Sequence, residues 1–97
     1  MYDMDLGREF SNKKVCVKVH STEEILKLNR YIHEWLFEDT SIIFDKLYHG
    51  VYDFWFKQGY ELSIGKINEQ VEVLDDSRFK GYETIECNEF IENLKNW

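Results

Sequence analysis

The sequence predicts an α+β domain: an antiparallel meander sheet of four to five strands in the order β-α-β-β-β-β-α, with one main helix on one face and a short C-terminal helix. Three observations lead there. Lys14–Val19 alternates in burial preference, Ser21–Glu24 opens a helix-spaced apolar stripe, and Ile42–Tyr60 places seven aromatic residues in two short runs split by His49-Gly50. At 97 residues, 43% of them hydrophobic, the chain is one domain (1–97) with enough apolar surface for a single core.

Residues 1–12 are polar and without period, which predicts a loosely held arm whose Phe10 packs at the sheet edge. From Lys14, Val15, Val17 and Val19 face one way while Cys16, Lys18 and His20 face the other, the pattern of a half-buried strand. Ser21-Thr-Glu-Glu24 then has the form of a capping box. In the helix that follows, Ile25, Leu28, Ile32, Trp35 and Leu36 draw one stripe, ending near Phe37 because Glu38-Asp39 opposes the macrodipole.

Ile42–Tyr48 and Val51–Phe56 read as strands joined by a tight His49-Gly50 turn. Gln58-Gly59 and Gly65-Lys66 supply two more turns, bounding strands at Tyr60–Ile64 and Ile67–Leu74. A polar loop from Asp75 to Gly81, a short extended piece at Tyr82–Ile85 and a helix from about Asn88 to Lys95 complete the chain, with Trp97 folding back on Phe90, Ile91 and Leu94. The predicted core is Val15, Val17, Val19, Ile25, Leu28, Ile32, Leu36, Phe54, Ile64, Ile67, Val71, Phe90 and Leu94.

Composition narrows function by exclusion. Nineteen acids against twelve bases give a net charge of −7, of which Glu61–Trp97 carries −5, with nine acids and four bases. Such a field repels phosphate backbones and anionic lipid, so direct nucleic-acid and membrane binding are disfavoured and a basic protein partner is favoured. The acidity also serves plain solubility. Two distant cysteines, Cys16 and Cys87, predict reduced thiols, and neither a basic-then-apolar leader nor an apolar run of about 18 residues is present, which together predict a cytoplasmic protein.

The chemistry-bearing residues give little purchase for catalysis. Cys16 and His20, four apart on one strand, are about 13 Å apart and cannot share a zinc ion. Cys87 stands at a helix start, where the dipole lowers a thiol pKa. The glycines are isolated and build no phosphate loop, and the acid pairs Glu23-Glu24, Glu38-Asp39 and Asp75-Asp76 read as solvated. The expectation is a non-enzymatic protein with no metal and no cofactor.

The aromatic hairpin supplies the candidate site. With Tyr52, Phe54 and Phe56 on one strand face and Val51, Asp53 and Trp55 on the other, helices covering the first face leave Trp55 exposed beside Asp53 as an interface anchor, whereas the opposite facing puts Trp55 in the core and turns Phe54 outward or toward the other helix. The candidate partner-binding residues are Trp55, Tyr52, Asp53, Glu69, Glu72, Asp75, Asp76, Glu83 and Glu86. The order of Lys14–Val19, Ser21–Glu24, Trp35-Leu36-Phe37 and Cys87–Ile91 resembles small acidic proteins of bacteriophages and mobile elements, including anti-CRISPR and other counter-defence inhibitors. That resemblance carries over no functional residue. It implies an inhibitor that mimics nucleic acid by presenting carboxylates to a basic, nucleic-acid-handling host protein. The alternatives are a protein that sequesters a nucleotide or other aromatic small molecule, with Lys46, Lys57 and Lys66 as the cations at hand, and a structural homo-oligomer or homodimer.

Overall fold

The computed structural model describes residues 5–95, with the side chains of 7–93. Residues 1–4, Trp97 and the side chain of Leu94 lie outside the described residues. Helix α1 (Asp5–Ser11) leads into strand β1 (Val15–Val19), followed by helices α2 (Thr22–Leu36), α3 (Ser41–Tyr48) and α4 (Val51–Lys57). Strands β2 (Leu62–Ile67) and β3 (Gln70–Asp75), a 3₁₀ turn (Asp76–Phe79), strand β4 (Glu83–Glu86) and helix α5 (Cys87–Lys95) complete the fold. The class is α+β, but the sheet is a four-stranded mixed one in the order β3-β2-β1-β4, not an antiparallel meander. Strand β1 pairs antiparallel with β2 and parallel with β4.

The first strand and first long helix form where their sequence patterns require. Val15, Val17 and Val19 join Ile25, Leu28 and Ile32 of α2 in the core. Ser21 caps α2, its side chain accepting from the Glu24 amide at 3.2 Å, while the Glu24 carboxylate accepts from the His20 amide at 2.7 Å. The reciprocal bond thus reaches one residue further back than the capping-box pattern implies. The helix ends in a left-handed residue, Phe37, at φ 56°. Trp35, expected in the stripe, stands 40% exposed.

The aromatic segment departs from its predicted structure. Ile42–Tyr48 and Val51–Phe56 form helices α3 and α4 rather than a hairpin, and His49-Gly50 is the break between them, with Gly50 at φ 70°. So dense a run of large side chains satisfies two periods at once. Ile43/Leu47, Phe44/Tyr48 and Tyr52/Phe56 are i,i+4 pairs as readily as they are members of alternating strands, and tertiary burial of Ile43 and Tyr52 decides in favour of helix. The shared face predicted for Tyr52 and Phe54 is accordingly split: Tyr52 is buried at 1% exposure, whereas Phe54, predicted in the core, is 59% exposed.

The expected turn at Gly65-Lys66 is also displaced, since Gly65 lies inside β2 and the chain reverses at Asn68-Glu69, with Asn68 at φ 57°. Gly65 is there for space. A Cβ at this position would lie 2.6 Å from Phe79 Cε1 and 3.2 Å from Cys16 Cβ. The reason is the path of the chain: β3 and β4 are opposite edges, so residues 76–82 must cross the sheet, and they do so over the face that the helices leave open. Phe79 seats itself on Gly65, and the Tyr82 hydroxyl donates to the Lys66 carbonyl at 2.6 Å.

Residues 5–11, predicted as part of a loose arm, are helical because Phe10 is fully buried against Phe90 of α5, ring centroids 5.6 Å apart. The extended piece predicted at Tyr82–Ile85 is β4, whose Ile85 faces the core. Sequence reading left Phe10 at the sheet edge and omitted Ile43, Tyr52, Leu62, Val73, Ile85 and Cys87 from the core. No described helix is long and apolar enough to cross a membrane.

Candidate functional site

The carboxylates singled out by sequence do not form one surface. Glu69 projects from the β2–β3 turn and Glu72 from β3, whereas Glu83 and Glu86 lie on β4. Those strands are opposite edges, about 14 Å apart by strand spacing. Glu86 is further engaged by His20, whose Nε2 lies 2.8 Å from Oε1.

Asp75 and Asp76 fold into the crossing segment. Asp75 caps the 3₁₀ turn by accepting from the Ser77 amide at 3.0 Å, and that bond together with the Ser77 hydroxyl holds its carboxyl below the ordinary value. Asp76 turns inward, accepting from the buried Ser63 hydroxyl at 2.6 Å and from Lys18 Nζ at 3.0 Å. Lys18 also donates to Glu61 at 3.2 Å, and these two carboxylates raise its pKa above the ordinary value. Asp76 is therefore a fastener of the crossing segment to β1 and β2 more than a free surface charge.

The α4 residues divide three ways. Asp53 is exposed and accepts from the Thr22 hydroxyl, tying α4 to the start of α2. Tyr52 lies under Trp55 with ring centroids 5.7 Å apart, and its buried hydroxyl has no partner among the described residues. Burial, then the charge of Glu72, pushes its pKa well up. Trp55, predicted to stand exposed beside Asp53 on a strand, is half-buried on a helix, with Lys46 Nζ 5.4 Å from its ring centroid.

Trp55 and Asp75 do come to one cleft. Together with Tyr60, Leu62, Leu74 and Arg78 they line a cleft of about 240 Å³ between α4, the chain entering β2 and the 3₁₀ turn. A backbone bond from the Tyr60 amide to the Trp55 carbonyl, 3.2 Å, fixes the two aromatic walls relative to each other. The sequence-predicted site residues do not include Tyr60, Leu62, Leu74 or Arg78, and for Arg78 the one legible signal is the Asp75–Ser77 cap that precedes it.

A second feature is the ring-rich exterior of the helices. Phe44 and Tyr48, one turn apart on one face of α3, are 47% and 86% exposed, and Phe37 and Phe54 are exposed on either side of them in the chain. Asp39, Asp45 and Asp53 are exposed among these rings, and Asp39 is held charged by the Ser41 amide and hydroxyl.

Both cysteines are buried. Burial, with Glu24 and Glu86 adding to it and Lys27 opposing, pushes Cys87 up to about 11 despite its place at the start of α5, and burial raises Cys16 against the opposing hydrogen bonds of Thr84 and Ser63. Among the described residues no three His, Cys, Asp or Glu side chains gather as metal ligands would. Comparison of the chain with protein-family models, curated proteins and solved structures finds no match.

Proposed function

We propose that this protein is a non-enzymatic binding protein that docks on a basic surface of a partner protein, in the manner of a phage-type inhibitor of a nucleic-acid-handling effector. The observation that carries this reading is the run from Phe37 to Phe54, where four large rings stand exposed with Asp39, Asp45 and Asp53 among them. Large rings that the fold leaves outside contribute most when an interface desolvates them, and carboxylates around them steer a basic partner by long-range attraction. The net charge of −7 extends that steering over the whole molecule. The edge carboxylates Glu69, Glu72, Glu83 and Glu86 serve steering on this reading, while Phe44 and Tyr48 take the anchoring role that sequence reading gave to Trp55.

The test is capture of cellular proteins on the immobilised chain, comparing it with Phe44→Ser combined with Tyr48→Ser. Both side chains are exposed, so the variant keeps its fold. The reading expects a basic, nucleic-acid-handling protein to be retained by the natural sequence, lost by the double variant, and released between about 50 and 500 mM salt as screening shortens. Equal retention by both forms, or a retained protein that is acidic, would overturn it.

A further inference from the structure

Independently of protein docking, we propose that the Trp55–Tyr60 cleft is a binding site for a small aromatic anion, a single ring system carrying a phosphate or a carboxylate. Its size sets the first limit. At about 240 Å³ the cleft lies below the roughly 300–1,000 Å³ of sites that take drug-sized ligands, so it suits one ring system. Its walls set the second, because the rings of Trp55 and Tyr60 line it together with buried Leu62 and half-buried Leu74. Planar rings gain most from such a surface.

Charge sets the third limit. Arg78 is exposed and lines the cleft three residues from Asp75, whose charge it favours, and Lys46 lies 5.4 Å from the Trp55 ring centroid. Neither makes an ion pair within 4.0 Å among the described residues, although carboxylates outnumber cations in this chain. An anion entering here would meet a guanidinium able to bind a carboxylate or phosphate through two parallel bonds. Asp75 completes the rim. Its carboxylate accepts from the Ser77 amide at 3.0 Å and from the Ser77 hydroxyl, and with about four lone-pair sites on its two oxygens it keeps acceptor capacity for a ring N–H or amino donor. Asp75 and Arg78 are three residues apart at the 3₁₀ turn, whose pitch of three residues sets such positions on one side. The ligand class is thus an aromatic ring with a donor on one edge and an anion on the other, such as a purine nucleotide or an amino-substituted aromatic acid.

Two-dimensional ¹H–¹⁵N spectra test this with adenosine 5′-monophosphate and 2-aminobenzoate as probes, and adenosine and 2-aminobenzamide as their neutral counterparts. The proposal expects at least one anion to shift the Trp55 indole, Tyr60 amide and Arg78 Nε signals saturably below about 10 mM, the weak limit of useful affinity. It expects the neutral counterpart, Arg78→Gln and Tyr60→Ala each to weaken that binding about tenfold, the loss of one charge-assisted contact or one stacking wall. Both side chains are exposed, so the variants stay folded. Which anion binds identifies phosphate or carboxylate as the source. No saturable shift from either anion, shifts that map elsewhere, or equal binding of the neutral counterpart would each overturn the proposal, and none of these bears on retention of a protein partner by Phe44 and Tyr48.

Discussion

Gly65→Ala is a one-methyl test of the crossing segment. The added Cβ would stand 2.6 Å and 3.0 Å from two carbons of the Phe79 ring and 3.2 Å from Cys16 Cβ, where unstrained carbon contacts lie at about 3.5–4.0 Å. The ring must therefore retreat by roughly 1 Å. It has little room, because Phe79 is 3% exposed, meets Tyr82 edge-to-face at 5.2 Å, and sits on a turn whose Asp76 is bonded to Ser63 and Lys18. Overpacking of this kind costs about 1–3 kcal/mol. The backbone at Gly65 is not left-handed, so alanine also gains about 0.4–1 kcal/mol by restricting the unfolded chain. The net expectation is a loss of about 1–2 kcal/mol.

For a chain of this length each kcal/mol shifts Tm by about 4–8 °C, so thermal unfolding followed by circular dichroism resolves the effect. The double variant Gly65→Ala with Phe79→Ala separates overpacking from other causes. Phe79→Ala alone costs about 3–5 kcal/mol, and adding the methyl to that vacated space should cost nothing further or recover stability. A Gly65→Ala Tm equal to or above that of the natural sequence, or strictly additive losses in the double variant, would show that Phe79 does not lie on β2.

Three further outcomes follow from burial and charge. Ile32→Ala, at a fully buried position of the α2 stripe, should cost about 2–5 kcal/mol in urea unfolding, whereas Leu26→Ala on the exposed face should cost less than about 0.5; equal losses would mean the stripe is misplaced. Cys16 and Cys87 are buried with raised thiol pKa values, so a thiol-specific reagent at neutral pH should label neither in the native protein and both in denaturant. Fast native labelling of either would contradict its placement. Stability should also decline above pH 9: the unfolded thiols and tyrosine release protons near their ordinary values of 9 and 10, while folded Cys87 holds its proton to about 11 and Cys16 and Tyr52 hold theirs above the ordinary values, so the unfolded state binds fewer protons and gains with rising pH. Lys18 adds to the decline, its ion pairs contributing fully below its ordinary 10.5 and being lost as pH passes its raised folded value. A urea midpoint constant from pH 8 to pH 11 would rule this out.

The parts of the fold legible in the sequence were those in which one period excluded the other. Val15–Val19 alternates and cannot be a helix stripe, and Ile25, Leu28 and Ile32 recur at helical spacing and cannot share a strand face. Ile42–Phe56 was not legible because its apolar residues are too dense for either period to be excluded, and aromatic enrichment favours strand by propensity while tertiary contacts favoured helix. Gly65 illustrates a different limit. A glycine signals a turn by its own freedom, but here it answers to Phe79, fourteen positions away in the chain, and no local pattern records that contact.

The candidate site follows from the same crossing. Because β4 runs parallel to β1 at the edge opposite β3, the chain after Asp75 has to turn over the sheet, and Asp75 caps that turn with Arg78 following on the same side. The turn brings Arg78 to rings contributed by α4 and the entry to β2, so the cleft exists only because Trp55 is on a helix and not on a hairpin strand. The same topology divides the acidic residues, fastening Asp76 to Lys18 and setting Glu83 and Glu86 across the sheet from Glu69 and Glu72. A partner that reads the net charge can do so at a distance from any side. A group that reads contacts has two places to do so: the ring-rich exterior of α3, where Asp39, Asp45 and Asp53 are the exposed acids nearest in sequence, and the cleft, where Arg78 and Asp75 stand three residues apart. Only the cleft offers a guanidinium, since residues 37–54 contain no arginine, and charge reversal should therefore separate the two places: Arg78→Glu should abolish anion binding in the cleft while leaving, or by added steering quickening, association with a basic protein. Loss of both together would show that they are a single surface.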